Sequence, residues 1–310
     1  MKIKWMMAVG CLAFSMAAAA EGDVVNLEYD WKPGMEAQVT YTLDQYRVGG
    51  GGDDTNVTGS YVLRTRQAEG GLLVEFSDSK VSVESANSEL GEKMQHLMER
   101  LAAFMPAYLI NTQGELERIV GFDEMYREMR ARVDSWVSEV PDETKAMMNH
   151  MTEHALSEQN VMAQAVQSWN RDVAQWVGAE LEAGYVYSVE FESYSPMVPN
   201  IPILTVGEYE YLGKVACNEA DTGNQCVKLR YSSSYDPESA LAAVRQTLES
   251  MGIPVSEDFT VSMDYVVEIV TGEENLIPHH IREVKVTGYP SQETGDFIQN
   301  AEVTEIFYRQ

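Results

Sequence analysis

Apolar and polar residues alternate through the first and last thirds of the chain and recur every three to four positions through its middle. Ala37, Val39, Tyr41 and Leu43 interleave with Gln38, Thr40, Thr42 and Asp44, the period of a half-buried strand. The run Gly49 to Gly52 with Asp53-Asp54 breaks that strand, Val57 to Thr65 returns, and Ala68-Glu69-Gly70-Gly71 turns the chain into Leu72, Val74 and Phe76. An antiparallel meander follows from this pattern. The glycine run lacks G-K-[ST] and is flanked by acids, so a hairpin tip fits it better than a phosphate loop. In the middle, Leu90, Met94, Leu97, Met98, Leu101 and Phe104 form one helical stripe ended by Pro106. A turn at Asn111 to Gly114 and a short strand, Glu115 to Val120, come next. Phe122, Met125, Met129, Val133 and Trp136 mark a second helix. Met148, Met151, Ala155, Met162, Val166, Trp169, Val173 and Val177 mark a third, after Pro141.

The last third alternates again. Tyr185, Tyr187, Val189 and Phe191 form one strand, and an irregular loop is expected around Pro196, Pro199 and Pro202. A short helix is expected over Ser239 to Met251, behind Asp236 and Pro237. Phe259, Val261, Met263, Tyr265, Val267 and Ile269 alternate strictly. Glu273-Glu274-Asn275 turns the chain, and Ile281 to Val286 and Ala301 to Tyr308 complete the sheet. The expectation is a single α+β domain over 21–310: a large curved antiparallel sheet from 24–85 and 185–310, with a helical insertion, 87–183, packed on one face.

Residues 1–20 have the layout of a cleaved secretory signal peptide. Lys2 and Lys4 are basic, Trp5 to Met16 is apolar, Ala17 to Ala20 is small, and Glu21-Gly22-Asp23 is polar. The apolar run is shorter than the roughly 20 residues of a transmembrane helix, and no other segment reaches that length uncharged. Ala8-Val9-Gly10-Cys11 has a lipobox look, but only Trp5-Met6-Met7 separates it from Lys4, so cleavage near Ala20 is the expected processing and a lipid anchor at Cys11 is not. The basic start and the Ala-rich end read as bacterial, placing the protein in the periplasm or outside the cell. In a eukaryotic secretory chain Asn56-Val57-Thr58 would instead be a glycosylation acceptor.

Once the two lysines of the leader are removed, 20 Lys and Arg face 49 Asp and Glu, a net charge of −29. Such a chain is a poor partner for nucleic acid or anionic headgroups, both of which ask for a basic footprint. The acids are scattered, so they read as a solubilised exterior rather than a cation site. Cys217 and Cys226 each end a strand-like run around Asp221-Thr222-Gly223-Asn224, which reads as a hairpin closed by a disulfide. A metal or redox pair has less support, because C-x8-C is not C-x-x-C and no His is near in sequence.

His150-Met151-Thr152-Glu153-His154 matches H-x-x-E-H, in which His150 and His154 one helical turn apart could hold zinc beside Glu153 as base. Met147, Met148 and Met151 with the same histidines would suit Cu(I). Both patterns are easily reached in a helix rich in Met, His and Glu, and helix-edge histidines over a Met-lined core explain them as well. Adjacent His279 and His280 face opposite ways on a strand and read as a turn edge. No G-x-S-x-G is present, and no cofactor is implied. Met94, Met98, Phe104, Met125, Met129, Met151, Met162 and Trp169 could line an adaptable apolar pocket between helices and sheet, or fill a plain core.

Strands, then helices, then strands behind a leader resembles the half-barrel exported lipoprotein carriers of the LolA and LppX type. The stretch Asn111 to Phe122, NTQGELERIVGF, and the Leu276-Ile277-Pro278 turn are similar to segments of uncharacterised exported bacterial proteins. The likeness is architectural and transfers no functional residue. It implies a soluble, non-catalytic binder of a lipid or other apolar or amphipathic molecule. The alternatives are a structural or interaction protein of the cell envelope with a filled core, and a metal-dependent hydrolase at 150–154. Oligomeric state is not legible.

Overall fold

The computed structural model describes residues 22–48, 54–85, 105–137, 145, 153, 156–195, 198–218, 225–250, 260–290 and 297–309. Residues 1–20, expected from the sequence to be a signal peptide, lie outside them. The first meander is β2 (Glu36–Val48), β3 (Thr55–Ala68) and β4 (Gly71–Ser85). It continues through a hairpin, β5 (Ala107–Asn111) and β6 (Leu116–Val120), to helix α1 (Phe122–Val137). Helix α2 (Glu158–Asp172) and a 3-10 turn (Ala174–Trp176) follow. The second meander is β8 (Val186–Ser195), β9 (Val198–Ala216), β10 (Gln225–Tyr235), β11 (Ser262–Thr271), β12 (Pro278–Pro290) and β13 (Phe297–Arg309), with α3 (Pro237–Ser250) between β10 and β11. Short β1 (Val24–Asn26) and β7 (Glu180–Glu182) pair with each other.

The eleven long-sheet strands lie in the order β6-β5-β4-β3-β2-β13-β12-β11-β10-β9-β8, every pair antiparallel. The first meander runs outward to one edge. The second starts at the other edge and works inward until β13 joins β2, with Ile306 opposite Tyr41. The first and last long strands, β2 and β13, thus meet in the middle of one sheet.

The α+β expectation is overturned: the chain is mostly β, one eleven-stranded sheet with three helices among the described residues. Two physical reasons stand out. The middle segment holds one strand beyond the expected Glu115 to Val120: Ala107–Asn111 is extended as well, up to the expected turn at Asn111. The Asn111 side-chain oxygen accepts from the backbone N–H of Gln113 and Glu115, and Gly114 takes φ +83° to complete the turn. The resulting β5 adds to β4. Second, the prolines expected in a loop lie partly in β9. Pro202 pairs with Tyr194 of β8, whereas the β10 ladder stops at Thr205, so on that side the missing N–H costs nothing.

Ser157 caps α2, its hydroxyl accepting from the Asn160 N–H, and Asp236 accepts from Ser239 N–H at the start of α3. The main core lies on the sheet face that carries Val39, Leu63, Val74, Leu229, Ile269 and Ile281. Against it pack Val25, Leu27, Trp31, Trp169, Val173, Trp176 and Leu276. Trp169 meets Trp31 edge to face at 5.1 Å. The expected disulfide is present, Cys217 to Cys226, with Cα atoms 4.9 Å apart. It is the chemistry of an oxidising compartment.

Candidate functional site

Because side chains alternate across a strand, the sheet has two chemically distinct faces. On the inner, core-bearing face, aromatic rings form two chains of contacts. One links Tyr41, Tyr61, Phe76 and Tyr108 across β2 to β5, with centroids 6.4, 5.6 and 5.1 Å apart. The other links Tyr209, Tyr231 and Tyr265 across β9 to β11, at 4.9 and 6.1 Å. Glycines make room for both. A Cβ on Gly59 would collide with the Tyr41 ring, and one on Gly207 would press on Phe191 and Tyr231 at 3.1 Å.

Between the aromatic chains lies an ion network. Arg171, at the end of α2, donates to Glu283 of β12 at 2.7 Å and also pairs with Asp172. Asp172 accepts from Tyr308 at 3.1 Å, and Lys285 holds the second Glu283 oxygen at 2.8 Å. The Glu283 side chain is 5% exposed. Burial works to raise its carboxyl, but Arg171 and Lys285 hold it below the ordinary carboxylate value. Burial alone would lower Arg171, yet Asp172 and Glu283 keep it well above its usual value. Burial raises Tyr61, Tyr265 and Tyr308, and pushes Tyr108 up to about 12. With two cations and two carboxylates, the cluster presents fixed charge and protonated hydroxyls within an aromatic surface. Lys285 lies 5.7 Å from the centre of the Tyr265 ring and is its half-exposed member.

The inner face turns polar beyond this network. The row Ser233, Tyr265, Lys285, Glu302 and Gln45 crosses five strands, and Gln45 donates to Glu302 at 2.9 Å. An open depression of about 660 Å³ lies at the same end of these strands but mostly on the outer face, among Asp44, Tyr46, Asn56, Glu84 and Val303. At the β8 edge the apolar surface is bare: Tyr185 is 59% exposed and Phe191 38%, with Tyr187 and Val189 also exposed. The outer face is different, with a register-matched row of alternating charge: Glu210, Arg230, Glu268, Arg282 and Glu305 on β9 to β13.

Of the residues singled out from sequence, Met125 and Met129 are buried on α1, and Met162 is half-buried on α2. Trp169 sits in the core, its indole N–H donating to the Gly114 carbonyl at 2.7 Å. Met94, Met98, Phe104, Met151, His150 and His154 lie outside the described residues. Glu153 is exposed, with its carboxylate 3.7 Å from Arg130. Sequence reasoning passed over Arg171, Asp172, Glu283 and Lys285. A partial signal was there: Glu283 and Lys285 occupy the strand phase that Ile281 sets as apolar.

Neither a family model nor a curated protein matches the chain. Among solved structures, a lipovitellin chain described for its lipid–protein interactions is 9% identical with a TM-score of 0.41; the match covers 91% of this chain and 26% of that one. This chain thus spans about a quarter of the lipovitellin chain. The beta domain of the Bordetella autotransporter BrkA is 7% identical at a TM-score of 0.19, covering 88% and 98%. Pseudomonas aeruginosa OccK5 (OpdH) is 9% identical at 0.23, covering 90% and 99%. No helix among the described residues is long and apolar enough to cross a membrane, a statement that does not bear on β-barrels. The likeness to lipoprotein carriers reaches as far as a large antiparallel sheet, and no family is assigned to this chain.

Proposed function

We propose that this chain is an exported, non-catalytic protein that binds an amphipathic, lipid-like molecule along the inner face of its sheet. The observation carrying this reading is that face itself: two chains of tyrosine and phenylalanine rings converge on a locally neutral, hydrogen-bonded ion network. Binding surfaces for such molecules pair a large apolar and aromatic area with a few placed polar groups that fix orientation. Tyrosine suits both ends of an amphiphile, offering an apolar ring and a hydroxyl. The leader-like residues 1–20 and the disulfide support export to the periplasm or the exterior. Native mass spectrometry of the purified protein should show a co-purified apolar species, and an apolar dye should be displaced by long-chain amphiphiles. A clean apo mass together with no dye binding overturns the reading.

A second reading, an interaction protein of the cell envelope, is favoured by the β8 edge. Edge strands are normally short, charged or covered, and β8 is long and carries exposed Val186, Tyr187, Val189 and Phe191. Under this reading Val189→Lys abolishes capture of a partner from envelope extract.

A further inference from the structure

The disulfide has a neighbour that its sequence does not announce. A ring nitrogen of His279 and the sulfurs of Cys217 and Cys226 all lie within 4.8 Å of one another. The cause is a register shift. Val270 pairs with His280 and Thr271 with Pro278, so His279 is an extra residue in β12, a β-bulge. In an unbroken strand His279 would share the phase of Ile281 and face the core. The bulge turns it toward the cysteines instead, which is how bulges re-aim side chains. Both cysteines are buried, and His279 is half-buried.

We propose that Cys217, Cys226 and His279 form a zinc(II) site when the disulfide is reduced, so that the chain alternates between a disulfide state and a metal-bound dithiolate state. Two thiolates and an imidazole are a known catalytic-type zinc donor set, which leaves a fourth tetrahedral position open to water. Metal–sulfur bonds of about 2.3 Å and metal–nitrogen bonds of about 2.0 Å set donors roughly 3.5 Å apart, so on reduction the two sulfurs, bonded in the disulfide, move apart while the His279 nitrogen, within 4.8 Å of both, stays in reach. The chemistry balances. Reduction adds two electrons and two protons to the disulfide, supplied by a thiol or phosphine reductant. Zinc binding then releases the two thiol protons and gives a complex with no net charge. Reoxidation by a disulfide oxidant takes the two electrons back from the sulfurs and expels the metal. The two states exclude each other because both use the same sulfur electrons.

The test uses the full chain carrying Cys11→Ser, which leaves two thiols to count. A trialkylphosphine reduces the disulfide, taking oxygen from water to become the phosphine oxide, and is removed anaerobically. Cobalt(II) is then titrated in, followed by zinc(II). The expected result is one cobalt per reduced chain, with sulfur-to-cobalt charge-transfer bands and the intense visible bands of a tetrahedral ion, both lost as zinc displaces it. Oxidised protein shows neither band. Replacing even a partner of a metal ligand weakens binding by roughly 10- to 100-fold, so His279→Ala, which removes a ligand, should weaken it by at least about tenfold. His280→Ala and His150→Ala/His154→Ala should not weaken it. Circular dichroism of the reduced apo chain reports whether the sheet persists. The proposal is overturned if the reduced chain takes up no cobalt, if the oxidised chain gives the same bands, or if His279→Ala binds as tightly as the parent. The last outcome is also the one expected of two thiols in a chain that has lost its sheet.

Discussion

Two rows of residues one position apart on the same five strands show how differently this sheet treats charge. The outer row is Glu210, Arg230, Glu268, Arg282 and Glu305; the adjacent inner row is Tyr209, Tyr231, Val267, Glu283 and Thr304. In the outer row each acid has a basic neighbour across the ladder, with Arg230 reaching Glu268 at 2.8 Å and Glu210 at 3.0 Å, and Arg282 reaching Glu305 at 3.6 Å. Water screens such pairs, and each is worth about 0–1 kcal/mol. Glu283 has the chemistry of Glu305, but its side chain is 5% exposed against 39%. A buried carboxylate is tolerated only when it is paired and hydrogen-bonded, which is why Arg171 and Lys285 converge on it. The outer charges are paired across the ladder in a row that water reaches, and single ones are expected to be expendable. The inner charges are a coupled unit.

The largest expected break in that contrast is Glu283→Ala. It leaves the Arg171 guanidinium buried without its β12 partner and should cost about 3–5 kcal/mol in urea unfolding; a loss like that of an outer-row substitution would show that the network is hydrated. Next is Gly59→Ala, which drives a Cβ into the Tyr41 ring and should cost about 1–3 kcal/mol by overpacking. If Tyr41→Ala in the same chain restores no stability, the ring does not lie over β3.

The pH dependence sharpens the contrast further. Tyr61, Tyr108, Tyr265 and Tyr308 are raised by burial, so their stabilisation is complete below the unfolded tyrosine value near 10 and is lost as pH climbs through the folded values. Glu283 and Glu268 are lowered by their basic partners despite burial, so their contribution is present above the unfolded carboxylate value and fades as pH falls through the folded one. The urea midpoint should therefore fall above about pH 10 and below about pH 4; a midpoint flat between pH 9 and 12 contradicts buried tyrosines. The smallest effect is expected for Arg282→Ala on the outer row, within about 1 kcal/mol. A larger loss would mean that the charge row acts as a cooperative network.

Much of the sheet was legible. The alternation of Ala37 to Leu43 and of Met263 to Ile269 matches the observed inner and outer phases of β2 and β11, since period two needs only local sequence. The Cys217 to Cys226 hairpin was legible for the same reason. The balance of sheet to helix was not. The turn at Asn111 and the strand after it were legible, but β5 before it was not, because Ala107–Asn111 is a strand only by adding to the edge of β4, a partner distant in sequence. Charged residues in the apolar phase of β12 were visible, but their partners were not, because Arg171, Asp172, Glu283 and Tyr308 come from segments far apart in sequence and no spacing rule links them. That His279 lies beside the cysteines was not legible, because a bulge, which depends on register with β11, re-aims it.

By itself the sequence determined the local grammar of this protein: strand phase, turn positions, the cysteine hairpin and an acidic exterior. Each depends on residues within a few positions of one another or on composition alone. The tertiary structure decided which strands became neighbours, and therefore which of two alternating faces excludes water. Burial, unlike periodicity, depends on what packs opposite. Glu283 is a core charge and Glu305 a surface one only because Arg171, from a distant helix, lies over the first.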